Sequence, residues 1–159
     1  MGEVISQTRM QILPNSLWLT TKMEWDYDSW GRRIRIIYPD EEHVNYSYNR
    51  AGLLDGVCGN DVYISKINYN KLDLKEEVYY GNGTRSIYQY DTVMWRLQSN
   101  EIYDQSNNLL AYKDYSYNSI GNIEFLNGKY TDAGINIDQS YFYDPDNRLV
   151  AAQGVSATT

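Results

Sequence analysis

The chain has 159 residues, a length that fits one ordinary domain, and 42% of them are hydrophobic; yet 17 are tyrosines, and 15 asparagines, 13 aspartates and 11 glycines favour turns. A net charge of −7 weighs against a nucleic-acid partner, and Arg32, Arg33 and Arg35 are the one basic cluster of note. The single Cys58 and single His43 exclude an internal disulfide and a zinc site of about four Cys/His ligands, and no window approaches the ~18 consecutive apolar residues of a membrane-spanning helix.

Residues 1–22 read as an N-terminal extension. Met1-Gly2-Glu3-Val4 lacks the basic flank and apolar stretch of a secretory signal, and Ile12-Leu13-Pro14 with Leu17-Trp18-Leu19 is expected to add a strand. A repeat begins at residue 23. Tyr27-Asp28, Tyr48-Asn49, Tyr69-Asn70 and Tyr90-Asp91 start 21 residues apart, and Tyr117-Asn118 and Tyr143-Asp144 follow after 27 and 26. Two positions before each tyrosine stands a large side chain: Trp25, Tyr46, Ile67, Tyr88, Tyr115 or Tyr141. Four positions after it comes Gly31, Gly52, Asp73, Met94, Gly121 or Asn147, and an aliphatic residue then resumes.

The unit large–x–Tyr–[Asp/Asn]–x–x–turn–x–aliphatic alternates with period two in its first half, which predicts a strand with both ladder residues on one face. Asp or Asn accepts from amides two residues on, and Gly or Asn takes the positive φ that closes the loop. A second turn is expected midway, at Pro39-Asp40-Glu41, Gly81-Asn82-Gly83 and Asn127-Gly128. Residues 23–154 thus predict six β-hairpin repeats and about ten to twelve strands, an all-β antiparallel array forming a curled single-layer strip. The tail, 155–159, is expected to be disordered.

The twelve ladder residues Trp25, Tyr27, Tyr46, Tyr48, Ile67, Tyr69, Tyr88, Tyr90, Tyr115, Tyr117, Tyr141 and Tyr143 are assigned a structural role. Trp18, Trp30 and Trp95 fall outside the ladder and are candidates for stacking on sugar rings, against the plainer reading that they pack over strand ends. No catalytic residue is expected: His43 sits in an ordinary strand rather than a triad. Asp26/Asp28 and Asp144/Asp146 lack the oxygen ladder of a calcium loop and read as turn formers, so no metal or cofactor is expected. Gly81-Asn82-Gly83-Thr84 lacks the lysine of a phosphate loop.

Trp25-Asp26-Tyr27-Asp28-Ser29-Trp30-Gly31-Arg32, Tyr46-Ser47-Tyr48-Asn49-Arg50-Ala51-Gly52-Leu53 and Tyr141-Phe142-Tyr143-Asp144-Pro145-Asp146-Asn147-Arg148-Leu149 resemble the YD-repeat, or Rhs, family, whose consensus is close to Tyr-Asp-x-x-Gly-Arg-Leu. The resemblance implies a segment of a hollow β-shell, as in bacterial Rhs toxins, the B and C components of insecticidal toxin complexes, and teneurins. It further implies a non-enzymatic structural role in enclosing or presenting a toxin, in a secreted or cell-surface assembly. The partners implied are further repeats or a second copy, and a toxin domain or a glycan. The family's autoproteolytic aspartate site has no counterpart in these residues, so no catalytic residue is carried over. The rival reading is a carbohydrate- or protein-binding module that uses exposed tyrosine and tryptophan.

Overall fold

The structure, a computed structural model, describes residues 2–158, with side chains through residue 154. All its regular elements are strands, thirteen of them in one open antiparallel sheet in unbroken sequence order. By its contacts the chain divides into two compact units, one running to Ile67 and including Tyr80–Asn82, the other holding Asn68–Tyr79 and the residues from Gly83 onward.

The first unit carries β1 (Ser6–Ile12), β2 (Trp18–Tyr27), β3 (Arg33–Ile37), β4 (His43–Tyr48), β5 (Leu54–Cys58) and most of β6 (Val62–Tyr69). Residues 1–22 therefore supply β1 and also the start of β2. Cross-strand register places Trp25 opposite Ile36, and Ile36 opposite Val44, so the aromatic of one repeat covers the aliphatic residues of the strands beside it. Trp25, Tyr27, Tyr46 and Tyr48 share that face, since side chains two apart on a strand point the same way. Ile36 and Val44 are each 5% exposed, and Ile67 is 2% exposed.

The second unit carries the end of β6, most of β7 (Lys75–Tyr80), then β8 (Arg85–Tyr90), β9 (Leu97–Tyr103), β10 (Leu109–Tyr117), β11 (Ile123–Tyr130), β12 (Ile135–Tyr143) and β13 (Leu149–Thr158). One cross-strand row runs Val78, Ser86, Ile102, Ala111, and Val78, Ser86 and Ala111 are buried. On the same face, register links Tyr88 through Asn100 to Lys113, and Tyr115 through Leu126 to Gln139, so Tyr88, Tyr90, Tyr115, Tyr117, Tyr141 and Tyr143 line up together. Among the described residues no large side chain is fully buried. Order here rests on half-covered rings and on backbone pairing rather than on a closed core.

The sheet's thirteen strands are β1, the strand expected from residues 1–22, and the twelve strands β2–β13 of the repeat array, as many as the upper end of the expected ten to twelve. Two expectations need correction. Asn127-Gly128 is not a turn but lies inside β11, with Gly128 opposite Lys113 and Ile137. A Cβ there would come within 2.6 Å of the Tyr112 carbonyl, so this glycine answers to close strand approach, and the turn falls at Thr131–Gly134 instead. The backbone of 155–158, expected to lack order, continues β13 opposite β12. Among the described residues no helix is long and apolar enough to cross a membrane.

Candidate functional site

The repeat concentrates its polar chemistry where each motif strand (β2, β4, β6, β8, β10, β12) turns into its return strand (β3, β5, β7, β9, β11, β13). The turn opens on Asp28, Asn49, Asn70, Asp91, Asn118 or Asp144. In the Asn49 turn the side-chain Oδ1 accepts from the Ala51 and Leu53 amides at 2.9 and 3.0 Å, while Gly52 N–H donates to the Asn49 carbonyl at 2.9 Å. Asp28 and Asn118 repeat this geometry with Gly31 and Gly121 in the closing place. That place is left-handed throughout: Gly31, Gly52 and Gly121 have φ of 74, 85 and 98°, and Asp73 and Asn147 adopt 59 and 63° despite carrying a Cβ. The fourth turn is one residue longer than the sequence pattern implied. Trp95, not Met94, holds the positive φ of 56°, and Asp91 spans the extra residue by accepting from Val93, Met94 and Arg96 amides.

The amides aimed at these carboxylates favour the charged form. The Met94 amide first, then the Arg96 and Val93 amides and the Arg96 guanidinium, hold Asp91 below the ordinary carboxylate range against some desolvation. The Asn108 side chain and amide do the same for Asp104. For Asp28 desolvation is the largest influence and pushes upward, but the Arg32 and Trp30 contacts together outweigh it.

Directly after five of the motif turns the return strand carries one extra residue. Tyr27 is opposite Arg33 while Asp26 is opposite Arg35, leaving Ile34 as a bulge; Asp55, Gln98, Glu124 and Val150 occupy the same place in their units. Each return strand then pairs with the next motif strand only beyond the bulge. The β3–β4 ladder covers Arg35–Ile37, the β9–β10 ladder stops at Ser99, and the β11–β12 ladder stops at Phe125. One carbonyl per unit is thus stranded outside the ladder, and a backbone acceptor left without a partner is costly. The motif tyrosine of the following unit meets it. Tyr48 donates to Arg33 O at 2.7 Å, Tyr90 to Lys75 O at 3.0 Å, Tyr117 to Leu97 O at 2.7 Å and Tyr143 to Ile123 O at 2.8 Å. The ring covers the neighbouring strands while its hydroxyl closes the backbone account. Burial pushes the Tyr90 and Tyr117 phenols up, so they stay protonated donors.

The arginine after the turn completes the junction. Arg32 pairs with Asp28 at 2.6 Å and lies over the rings of Trp30 and Tyr48, 4.6 and 4.4 Å from their centroids. Arg96 does the same with Asp91 and the Tyr117 ring, at 3.4 and 4.8 Å. At these two junctions Asp, Arg and the next tyrosine therefore form a staple between consecutive units; Leu53, Leu74 and Asn122 stand in the arginine's place at the others.

The three tryptophans singled out by sequence do not come together. Trp18 opens β2 opposite Ile12 and is 66% exposed. Trp30 is also exposed but carries the Arg32 guanidinium on its ring. Trp95 lines an open cleft of about 430 Å³ with Tyr69, Asn70, Lys71, Leu72 and Glu76. Asp26 pairs with Arg35, and the Asp144 carboxylate accepts from the Asp146 and Arg148 amides, so both serve local structure. His43 and Cys58 are exposed. Among the described residues no group of three or more His, Cys, Asp or Glu is placed to hold a metal. Elsewhere the Glu42 carboxylate accepts from the Tyr63 phenol and, with desolvation and nearby acids, pushes it up to about 12.

Two midway turns were missed, one at Gly59–Asp61 between β5 and β6, where Gly59 N–H donates to the Asp61 carbonyl at 2.8 Å, and one after β9. Tyr103-Asp104 ends β9 and opens a turn closed by Asn107 at φ 67°, with Asn108 N–H donating to Asp104 at 2.7 Å. The signal was there, a Tyr-Asp pair four residues before Asn107. It sits at the opposite end of the hairpin from the six in register.

The sequence matches no protein-family model and no curated protein. Its fold is that of Tc toxin structures. Against the crystal structure of TcdB2-TccC3-Cdc42 the TM-score is 0.76 at 19% identity, covering 95% of this chain and 8% of that one. Against the Photorhabdus luminescens Tc holotoxin pore with a TccC3 mutation it is 0.71 at 16% identity, covering 98% and 11%. TcdB2-TccC3 without its hypervariable C-terminal region gives 0.74 at 19%. The chain spans only a small part of the length of each.

Proposed function

We propose that this chain is a non-enzymatic structural segment of a YD-repeat, Rhs-type shell that encloses or presents a toxin, in a secreted or cell-surface bacterial assembly. The observation that carries the reading is the staple. Six motif turns, with a phenol bridging one unit to the next wherever the described geometry defines it, make a wall in which each repeat is finished by its neighbour. The likeness to Tc toxin structures over 95–98% of the chain supports it. The motif tyrosines Tyr48, Tyr90, Tyr117 and Tyr143 are committed to carbonyl capping. Electron microscopy of the full-length polypeptide, combined with protease challenge, tests the proposal. A hollow particle whose enclosed domain resists digestion until the particle is opened is expected; an open particle with no protected domain overturns it.

A second reading has one specific observation in its favour. Trp95 is 49% exposed beside Tyr69, Asn70, Lys71 and Glu76, an aromatic face ringed by hydrogen-bonding groups of the kind that binds sugars. Quenching of tryptophan fluorescence by oligosaccharides, lost in Trp95→Ala, supports that reading; no response across a broad glycan panel removes it.

A further inference from the structure

The fourth motif turn departs from the other five at a cost in free energy. Among the described non-glycine residues with positive φ, Ser16, Glu41, Asp73, Asn107 and Asn147 carry polar side chains, and Trp95 is the one large ring. A bulky residue is strained in that region. The same turn exposes three apolar residues in a row, Val93 at 79%, Met94 at 63% and Trp95 at 49%, a run that is a fault unless it is used. The Val93, Met94 and Arg96 amides, all donating to Asp91, hold the loop in this shape. Strain that surrounding bonds maintain clusters at ligand clamps and active sites.

The turn sets the Trp95 indole against the cleft of about 430 Å³ that Tyr69, Lys71 and Glu76 also line. Among the described residues, the side chains of Trp95, Lys71 and Glu76 have no hydrogen bond, ion pair or ring contact. The first turn shows what completes such a set. There the Arg32 guanidinium lies 4.6 Å from the centroid of the Trp30 ring and 2.6 Å from the Asp28 carboxylate. In the fourth turn the corresponding Arg96 lies over Tyr117 instead, so Trp95 and Glu76 supply an indole and a carboxylate with the guanidinium missing. Lys71 does not take its place, since an ammonium is a compact charge without the flat face that stacks on a ring. Its own charge is left for an anion.

We propose that this cleft binds a C-terminal arginine of another chain, with the guanidinium flat on Trp95 and paired with Glu76, and the terminal carboxylate paired with Lys71. Ring stacking and a two-pronged ion pair select arginine over lysine. The net charge of −7 favours the approach of a basic chain end. Glu76 is the one carboxylate lining the cleft, so none is left to receive the α-ammonium of the free amino acid, and a chain end fits better. The cleft lies between the third and fourth motif turns, inside the repeat array. Such a site is independent of the shell reading and shares only the Trp95 indole with the sugar reading.

The test is an NMR titration of the isotopically labelled protein with N-acetyl-L-arginine, followed at the Trp95 indole N–H resonance, which Trp95→Phe identifies. A saturable shift is expected, with a dissociation constant on the order of 1 mM. N-acetyl-L-citrulline, planar but uncharged, is expected to bind about fivefold more weakly. N-acetyl-L-argininamide, without the carboxylate, is expected to bind about threefold more weakly. Glu76→Gln and Lys71→Gln, both at exposed positions, are each expected to weaken N-acetyl-L-arginine about threefold, and Lys71→Gln to leave the argininamide unchanged. No saturable shift at tens of millimolar, equal affinity for either derivative, or unchanged affinity in either variant overturns the proposal, and tighter binding of free L-arginine overturns the chain end. A shift produced by neutral oligosaccharides and not by N-acetyl-L-arginine overturns it in favour of the sugar reading and leaves the particle experiment standing.

Discussion

At the motif position the phenol is what separates tyrosine from phenylalanine. Tyr117→Phe keeps the ring over its neighbours and the Arg96 stack but strands the Leu97 carbonyl; a cost of about 1 kcal/mol is expected in urea unfolding. Tyr90→Ala removes ring and cap together and is expected to lower the melting temperature well beyond Gln89→Ala, whose side chain is exposed. Equal shifts for the two would contradict a one-faced ladder. The turn carboxylates add a pH dependence with a definite sign. Asp91 and Asp104 are held below their unfolded pKa of about 4, so their stabilisation is present above that value and lost as pH falls through the folded one. Asp91→Asn keeps an acceptor for the Val93 and Met94 amides but does not titrate. The fall in urea midpoint between about pH 7 and about pH 3 is therefore expected to be smaller in the variant.

At the scale of the strand, the bulge decides which face each residue meets. Removing Glu124 erases the extra residue of β11, and a one-residue slip turns Leu126 and Gly128 to the opposite face. Deletion of Glu124 is expected to abolish the cooperative melt, whereas Glu124→Ser, on an exposed position, is expected to change it little. The same scale shows what the sequence makes legible. Tyr-Asx followed by a left-handed position is chemically distinctive, and all six motif strands end where the pairs predict. The bulge was not legible, because an inserted residue leaves no composition signal and disturbs alternation only after the turn has already interrupted it. Asn127-Gly128 misled because turn chemistry and close strand approach both select glycine. Trp95 in a left-handed conformation was equally hidden: no residue type less suited to that place announces it, and only the Asp91 amide contacts reveal the longer loop.

At the scale of the whole chain, every strand pairs with its neighbours in sequence, so stability is a chain of local junctions rather than one shared core. Hydrogen exchange is expected to be fastest in β1, whose seven residues are all exposed and which among the described residues pairs only with β2, and slower in β8–β10, which are flanked on both sides. Uniform protection along the chain would contradict it. The ends of the six motif strands were readable from the sequence. The staple was not, since it joins Arg32 to a tyrosine sixteen positions later and appears only once strand order is known.

The strictly sequential order of strands also has a mechanical consequence. Pulled by its two ends, such a molecule presents its junctions to the load one after another, held by short ladders, by the phenols of Tyr48, Tyr90, Tyr117 and Tyr143, and at two of them by an arginine stack. It would yield by peeling hairpin after hairpin at modest, repeated forces, and on release each hairpin would find its template still standing beside it.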